Sequence, residues 1–300
     1  MRLVERGAPG PPADVAVAIP VLNGGDRLIA ALRIAARQVG VGRVELLAAD
    51  SGSDDGALER CGVPGLRVFD VDGAYDHGAV RTALVLAARA PFVALLSQDA
   101  VPVGDGYLAA LLAPFADPRV AGVQARQIPR PGADPLVRAS LARWTPDAAA
   151  PMRVAPMGGW GALSPHDRLA LARFDNVGSA VRRSTIEAVP FPPRPFGEDL
   201  AWGQKVLDAG HALAYAPDAL VEHHHDPTLA ELFRRNRVAH RQAAAEFGLV
   251  AVPSVPAGCL AWLAGAATDL RDGGPAWIGR GAARRAAALA GQYLGAREAP

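Results

Sequence analysis

Along the first third of the chain, apolar and polar positions fall into a repeating unit. A short unbroken apolar run gives way to a polar, glycine-punctuated loop, and the loop to a stretch with apolar residues every three or four positions. Val15–Ile19 is the first run, closed by Pro20, with Asn23-Gly24-Gly25-Asp26 as turn and helix start. Leu28, Leu32, Ala35 and Val39 follow on one helical face. Val44–Ala49 reads as a second strand ended by Asp50, and Ser51-Gly52-Ser53-Asp54-Asp55-Gly56 is its loop. Leu66–Val71 is the third strand, and Tyr75-Asp76-His77-Gly78 leads into a helix near residues 79–90. Phe92–Leu96 is the fourth, stopping abruptly at Ser97-Gln98-Asp99-Ala100. Alternating strands and helices predict an α/β fold with a mostly parallel central sheet and flanking helices.

The second half has a different texture. A helix near 106–114 precedes a strand at Val120–Gln124, and then Arg126–Asp175 carries Pro129, Pro131, Pro135, Pro146, Pro151, Pro156 and Pro165 with little periodicity. A segment of that kind is expected to be a binding loop or lid. Val177–Val181 reads as a strand, Phe191–Gly197 as a stiff loop, and Glu198-Asp199 as the start of a helix stopped by Gly210. Two short strands, Ala212–Tyr215 and Ala219–Val221, run into Glu222-His223-His224-His225-Asp226. A basic helix over about 227–247 carries Arg234, Arg235, Arg237 and Arg241. The tail from Val250 is rich in Ala and Arg, with Trp262, Leu263, Leu270, Trp277 and Ile278 as expected apolar anchors.

Composition narrows the classes. The 300 residues hold 31 Lys+Arg against 30 Asp+Glu, a formal net charge of +1, so no global field recruits nucleic acid. Cys61 and Cys259 lie far apart without metal-ligand spacing, which gives no disulfide framework and suits a reducing cytosol. There is no apolar run of about 18 residues and no signal-peptide pattern at the amino terminus. The expectation is a cytoplasmic chain, at most peripheral to a membrane.

Acids and imidazoles recur where strands end, the edge at which open α/β sheets bind ligands. No GxGxxG follows the first strand, which argues against a dinucleotide-binding domain. Asp99, held by a buried strand, reads as a metal-binding acid or as a residue closing a turn. His223 and His225 alternate at a strand end and share a side, so with Asp99 and diphosphate oxygens they suit Mg2+ or Mn2+; a solvated His cluster is the plainer alternative. Asp50 either accepts the imide N–H of a uracil or thymine ring or makes an Asx turn with Ser53. Asp199 either takes a proton from an attacking hydroxyl or simply complements a helix dipole. Arg234, with its neighbours on one helix, either binds diphosphate or forms a solvated basic face.

Taken together, the chain resembles inverting glycosyltransferases of family 2, which have the GT-A fold, and more narrowly bacterial rhamnosyltransferases that use dTDP-rhamnose. The resemblance rests on Val17–Gly25, Asp50–Gly56, Asp76-His77-Gly78 with Arg81, Ser97–Pro102, Arg126–Pro131, Asn176–Arg183, Gly197–Trp202, Tyr215–Ala219 and the His run, and covers about Val15–Phe247. It implies that Asp50 meets the nucleotide base, Asp99 the metal with His223 or His225, and that Asp199 is the catalytic base. Pro20, Asn23, Ser51, Gly52, His77, Gly78, Arg81, Gln98 and Arg234 are implied to line the donor site. The usual Asp-x-Asp is Ser97-Gln98-Asp99, as in the rhamnosyltransferase subgroup, and Thr82 stands where an Asn usually follows the Arg.

The implied organisation is a flexible 1–14 and a GT-A domain over 15–247, with a nucleotide-binding half (15–125) and an acceptor and catalytic half (126–247). A helical extension over 248–300 follows. The implied partners are a nucleotide-sugar donor and a glycan or lipid-linked acceptor. Arg280, Arg284 and Arg285 among apolar residues suggest a peripheral membrane contact of the tail, or an ordinary packed helix. Two other classes fit the same acids and histidines: a metal-dependent phosphohydrolase, and a catalytically silent sugar-nucleotide or glycan-binding protein.

Overall fold

The computed structural model describes residues 1–6, 11–194, 196–223, 225–250 and 255–298, with side chains from residue 260 in the last stretch. His224, Pro195, the Cys259 side chain and residues 7–10 of the expected lead-in lie outside the described residues. The chain separates into two compact units, one of Met1–Ile128, Thr145–Met157 and Leu171–His223, the other of Pro129–Trp144, Gly158–Ala170 and His224–Pro300.

The first unit is built on one nine-stranded sheet in the order β1-β4-β3-β2-β5-β8-β7-β9-β6. Its strands are β1 (Arg2–Arg6), β2 (Val15–Val21), β3 (Val44–Asp50), β4 (Arg67–Asp72), β5 (Phe92–Leu96), β6 (Val101–Pro102), β7 (Val120–Ile128), β8 (Gly178–Arg182) and β9 (Ala212–Glu222). β4, β3, β2 and β5 run parallel, joined through α1 (Gly25–Ala35), α2 (Ala57–Arg60) and α3 (His77–Ala87). β2 is buried along its whole length, as its unbroken apolar run requires of a strand covered on both faces. Leu28, Leu32 and Ala35 of α1 pack on it within the core, whereas Val39 lies beyond the helix and is exposed.

The other half of the sheet corrects the expectation of a mostly parallel arrangement. β8 is antiparallel to both β5 and β7, β7 and β9 are parallel, and β1 and β6 run antiparallel at the two edges. Parallel neighbours need crossover connections, here the helices α1, α2 and α3. β8 instead follows the long segment 129–177, which lets the chain return in the opposite sense. Within that stretch the expected loop contains α5 (Pro135–Trp144) and α6 (Pro165–Ala172), after α4 (Tyr107–Leu112). Both begin on a proline, where the missing N–H costs nothing. Asp134 and Ser164 stand just before them and accept the N–H groups of Val137 and Asp167.

Within the expected flexible lead-in, Arg2–Arg6 form a strand. β1 pairs with β4 from Arg2 opposite Asp72 to Arg6 opposite Val68, and Arg67 donates to both carboxylate oxygens of Glu5 at 2.6 and 2.9 Å. The two short strands expected after Gly210 are one strand, β9, whose register with β7 shifts between the Ala125–Ala216 and Arg126–Leu220 pairs. Two further helices of this unit, α7 (Arg183–Ala188) and α8 (Glu198–Asp208), flank β8 and the approach to β9.

In the second unit, α9 (Leu229–Phe247) opens on a capping box of Thr228 and Glu231 and ends at left-handed Gly248. It is followed by α10 (Val255–Gly273) and α11 (Ala276–Arg297). The expected apolar anchors Leu263, Leu270 and Ile278 are exposed. Buried ion pairs lie within this unit, Asp134, just before α5, with Arg284 of α11 at 2.8 Å and Asp269 of α10 with Arg285 of α11 at 2.6 Å, and α11 packs on α9 through Gly291 and Gly295. Among the described residues no helix is long and apolar enough to cross a membrane.

Candidate functional site

The carboxyl ends of β2 and β3 lie side by side, Val21 opposite Asp50, and their loops are stitched together. The Asn23 N–H donates to Ser53 Oγ at 3.0 Å, and Asn23 Oδ1 accepts the Asp54 N–H at 2.9 Å. Asp55 accepts the N–H groups of Gly25 and Ala57, fixing the starts of α1 and α2 with one carboxylate. Gln98 Oε1 accepts the Leu22 N–H at 2.7 Å, which ties the loop after β5 to the loop after β2. Gly52 takes φ +96°, a conformation L side chains rarely adopt. The Ser51 hydroxyl is buried and has no hydrogen-bond partner among the described residues. Pro20, Asn23, Asp50, Ser51, Gly52 and Gln98 therefore come to one edge of the sheet.

Asp50 makes the Asx turn with Ser53, whose N–H reaches Oδ1 at 2.9 Å, while Arg6 donates to Oδ2 at 2.9 Å. Its residue is only 3% exposed. Burial pushes its carboxyl up, but Ser53 and the Arg6 guanidinium outweigh that and hold it below the ordinary carboxylate value.

The second corner joins Asp99, past the end of β5, to His223, immediately after β9. β6 makes this juncture: Val101 pairs with Glu222, so the residues following Asp99 lie beside the end of β9. His223 Nε2 is 3.5 Å from Asp99 Oδ2. Asp99, His223 and His225 each offer a ligand atom, and all these atoms lie within 4.8 Å of one another. His223 Nδ1 is 2.9 Å from Gln127 Oε1, and the Gln127 amide in turn donates to Asp175 Oδ2 at 2.7 Å. With the amide so oriented, Oε1 accepts and Nδ1 carries the proton. Nε2 then presents its lone pair toward Asp99, the form a metal ligand needs.

At the third corner Asp199 sits in the first turn of α8. Its Oδ1 accepts the Leu200 N–H at 2.8 Å and its Oδ2 the Asn176 N–H at 3.1 Å. Burial, then the carboxylates of Glu198 and Asp175, push the Asp199 carboxyl well above its ordinary value; Arg81 and the Asn176 N–H pull only partly back. Glu198 accepts from Arg81 Nη1 at 2.7 Å and from the Asn176 amide at 3.2 Å. Arg81, implied to lie at the donor sugar or diphosphate, is thus a buried tether between α3 and the helix that carries Asp199. His77 Nδ1 lies 3.2 Å from Tyr75 Oη and 3.3 Å from Arg81 Nη1. Burial, then the Arg81 charge, lower its imidazole below the ordinary value, which favours the neutral ring. Gly78 is required by close approach, since a Cβ there would collide with the Pro192 carbonyl oxygen.

Arg234 stands exposed on α9 of the second unit, its Nε 3.4 Å from the Ala230 carbonyl, and nearby Arg237 pairs with Glu298 at 2.6 Å. Sequence reasoning gave no role to Arg6, Gln127, Asp175 or Glu198. Gln127 lay within a quoted motif and Glu198 beside Asp199, but their partners are remote in sequence, and nothing local marks them.

A mixed α/β sheet with three potential metal ligands, a corner of stitched loops and a buried carboxylate beyond its strand ends has the GT-A architecture. The chain belongs to the family described as glycosyltransferase like family 2, which matches residues 11–239. It is 28% identical over 199 residues to the O-antigen chain rhamnosyltransferase RfbN of Salmonella typhimurium, covering 64% of this chain and 60% of that one. To the O-antigen chain rhamnosyltransferase WbaN of Salmonella anatum it is 29% identical over 167 residues, 54% of this chain and 50% of the relative. The match thus spans half to three-fifths of the length of these curated relatives. Among solved structures it is similar to the mannosyltransferase PcManGT of Pyrobaculum calidifontis in complex with GDP-Man and Mn2+. The TM-score is 0.61 at 20% identity, over 93% of this chain and 86% of that one, a likeness of fold.

Proposed function

We propose that the protein is a metal-dependent inverting glycosyltransferase that moves a sugar from a nucleotide-diphosphate donor to a hydroxyl of a glycan or lipid-linked acceptor, in cell-surface polysaccharide or glycoconjugate synthesis. The observation that carries the reading is the contrast among its carboxylates: Asp99 faces imidazole, whereas Asp199 is buried beside other acids. The first arrangement suits a cation and the second a base.

The set Asp99, His223 and His225 fits a divalent ion, and its mixture of oxygen and imidazole nitrogen favours Mn2+ over Mg2+. Such an ion, when bound, neutralises charge on the departing diphosphate. The chain's own residues do the rest. Gln127 holds the His223 ring, and the stitched loops at Asn23, Ser51 and Gly52 receive the nucleoside. Asp199 takes the proton of the attacking hydroxyl as its oxygen bonds the anomeric carbon and the bond to the diphosphate oxygen breaks, inverting that carbon. His77 and Gly78 border the donor-sugar side, and Arg234 is available for the diphosphate.

We favour dTDP-rhamnose as donor, on the Ser97-Gln98-Asp99 motif and the names of the two Salmonella relatives. We place the chain in the cytoplasm, with a peripheral contact to an anionic membrane through exposed Leu260, Leu263 and Leu270 of α10 and Arg280 of α11; Arg284 and Arg285, expected to share that contact, are instead engaged in ion pairs with Asp134 and Asp269.

The test is thermal stability with dTDP, UDP and GDP, each with and without Mn2+, followed by consumption of dTDP-rhamnose with and without candidate acceptors. A Mn2+-dependent shift with dTDP that is lost in Asp99→Asn supports the donor site; saturation at about 100 times Kd corresponds to ~2.7 kcal/mol. Consumption that needs no acceptor points to a phosphohydrolase, and no shift with any nucleotide removes the reading.

A further inference from the structure

We infer that Arg6, on the edge strand β1, is a base-reading residue of the donor site that selects nucleobases presenting a ring carbonyl; this rests on the nucleotide-sugar reading above. Asp50, at the end of β3, is the residue expected to meet the base. Its Oδ1 is engaged by Ser53 and its Oδ2 by Arg6, and it is 3% exposed against 41% for the Arg6 side chain. A ring approaching this corner from solvent therefore meets the guanidinium before the carboxylate.

The guanidinium is held from one side only. Nε and Nη2 both donate to Asp70 Oδ1, and Nη2 also donates to Asp50 Oδ2. Nη1, with its two N–H groups, donates to no described residue. Arg6 is thus fixed across β4 and β3 by two carboxylates while one arm stays available. The buried Ser51 hydroxyl, one residue past Asp50, also has no partner. Fixed N–H donors match a ring carbonyl, such as O2 or O4 of thymine and uracil or O6 of guanine. Adenine has no carbonyl to offer. Asp50 serves Arg6 as a buried anchor.

The experiment compares wild type, Arg6→Ala and Asp70→Asn by calorimetric titration with Mn2+ plus dTDP, UDP, ADP or inorganic pyrophosphate. We expect wild type to prefer dTDP and UDP over ADP. Arg6→Ala should weaken both keto-base nucleotides roughly tenfold, as for loss of a charged hydrogen bond, with pyrophosphate unchanged. Asp70→Asn loosens the same end of β1 without touching Nη1, and should keep the preference. If Arg6→Ala does not fold, Arg6→Lys retains a cation between the carboxylates without the second amino arm and should lose the preference in the same way. Parallel losses of dTDP and pyrophosphate in Arg6→Ala mean a merely structural role and overturn the inference. So does unchanged or tighter dTDP binding, which leaves Asp50 reading the base alone. A wild type that binds neither nucleotide nor pyrophosphate overturns the transferase reading itself, and this one with it.

Discussion

The corner around Asp50 and the corner around Asp199 carry the same functional group and treat it in opposite ways. At Asp50, Ser53 and a guanidinium outweigh burial and keep the carboxylate charged. At Asp199, burial is reinforced by Glu198 and Asp175, and the charged form is disfavoured. Stability follows with opposite sign. A lowered value such as that of Asp50 contributes stability above the unfolded-state pKa that is lost as pH falls through the folded one. A raised value such as that of Asp199 contributes stability at low pH that is lost as pH rises through the folded one. One acid is therefore an anchor; the other is kept at a cost to the fold, as expected of a proton acceptor poised nearer neutrality.

The comparison breaks most sharply at Asp199. Asp199→Asn should cut transfer by about 10²- to 10⁴-fold with dTDP–Mn2+ binding intact, and should raise Tm at alkaline pH because the disfavoured charge is gone. Wild-type transfer should rise with pH through the elevated Asp199 value, an acidic limb that lies above the usual carboxylate range. Full turnover in Asp199→Asn, or a limb at an ordinary carboxylate value, dissolves the contrast. Next in size is the tether. Arg81→Ala leaves Glu198 buried without its cation and should cost about 3–5 kcal/mol, measured by denaturant unfolding; a loss below about 1 kcal/mol would mean water reaches Glu198.

Gln127→Leu tests the link between the Asp199 and Asp99 corners. Freed from its orienting amide, His223 should lose about 10- to 100-fold in Mn2+ affinity, read by titration calorimetry, and its unpaired ring should cost about 1–3 kcal/mol in unfolding free energy. Ser53→Ala is the mildest change. It removes the acceptor of the Asn23 N–H and should cost about 1 kcal/mol in unfolding free energy, while the backbone N–H of residue 53 and Arg6 keep their bonds to Asp50.

The parallel half of the sheet was legible because strands covered on both faces must be apolar throughout, and β2 and β5 are. β1 was not. It carries Glu5 and Arg6, whose compensation comes from Arg67, Asp70 and Asp50 on other strands, and no local pattern reveals that. α5 and α6 were hidden by Pro135 and Pro165, which read as breakers in a proline-rich stretch yet occupy the one helical position that welcomes proline.

In the site, Asp99 and the two described histidines stand out because charged and ligating side chains end apolar runs. What they require for orientation did not. Gln127 reaches His223 only because β7 and β9 run in parallel register, with Gln127 opposite Val221. Arg81, assigned to the donor by its motif, serves Glu198 because α3 and α8 come together in three dimensions.

The insertion of β8 between β5 and β7 also bears on how the chain is made. β5 is complete by Leu96, but the strand that covers its outer edge runs from Gly178 to Arg182. At a ribosomal rate of roughly 5–20 residues per second, that edge waits roughly 4 to 17 s for its partner. Throughout that interval the nascent chain shows an apolar strand with open N–H and C=O groups, a template for pairing with other chains. Production of this protein should therefore depend on chaperone capacity and on slow, cool expression more than its finished sheet suggests.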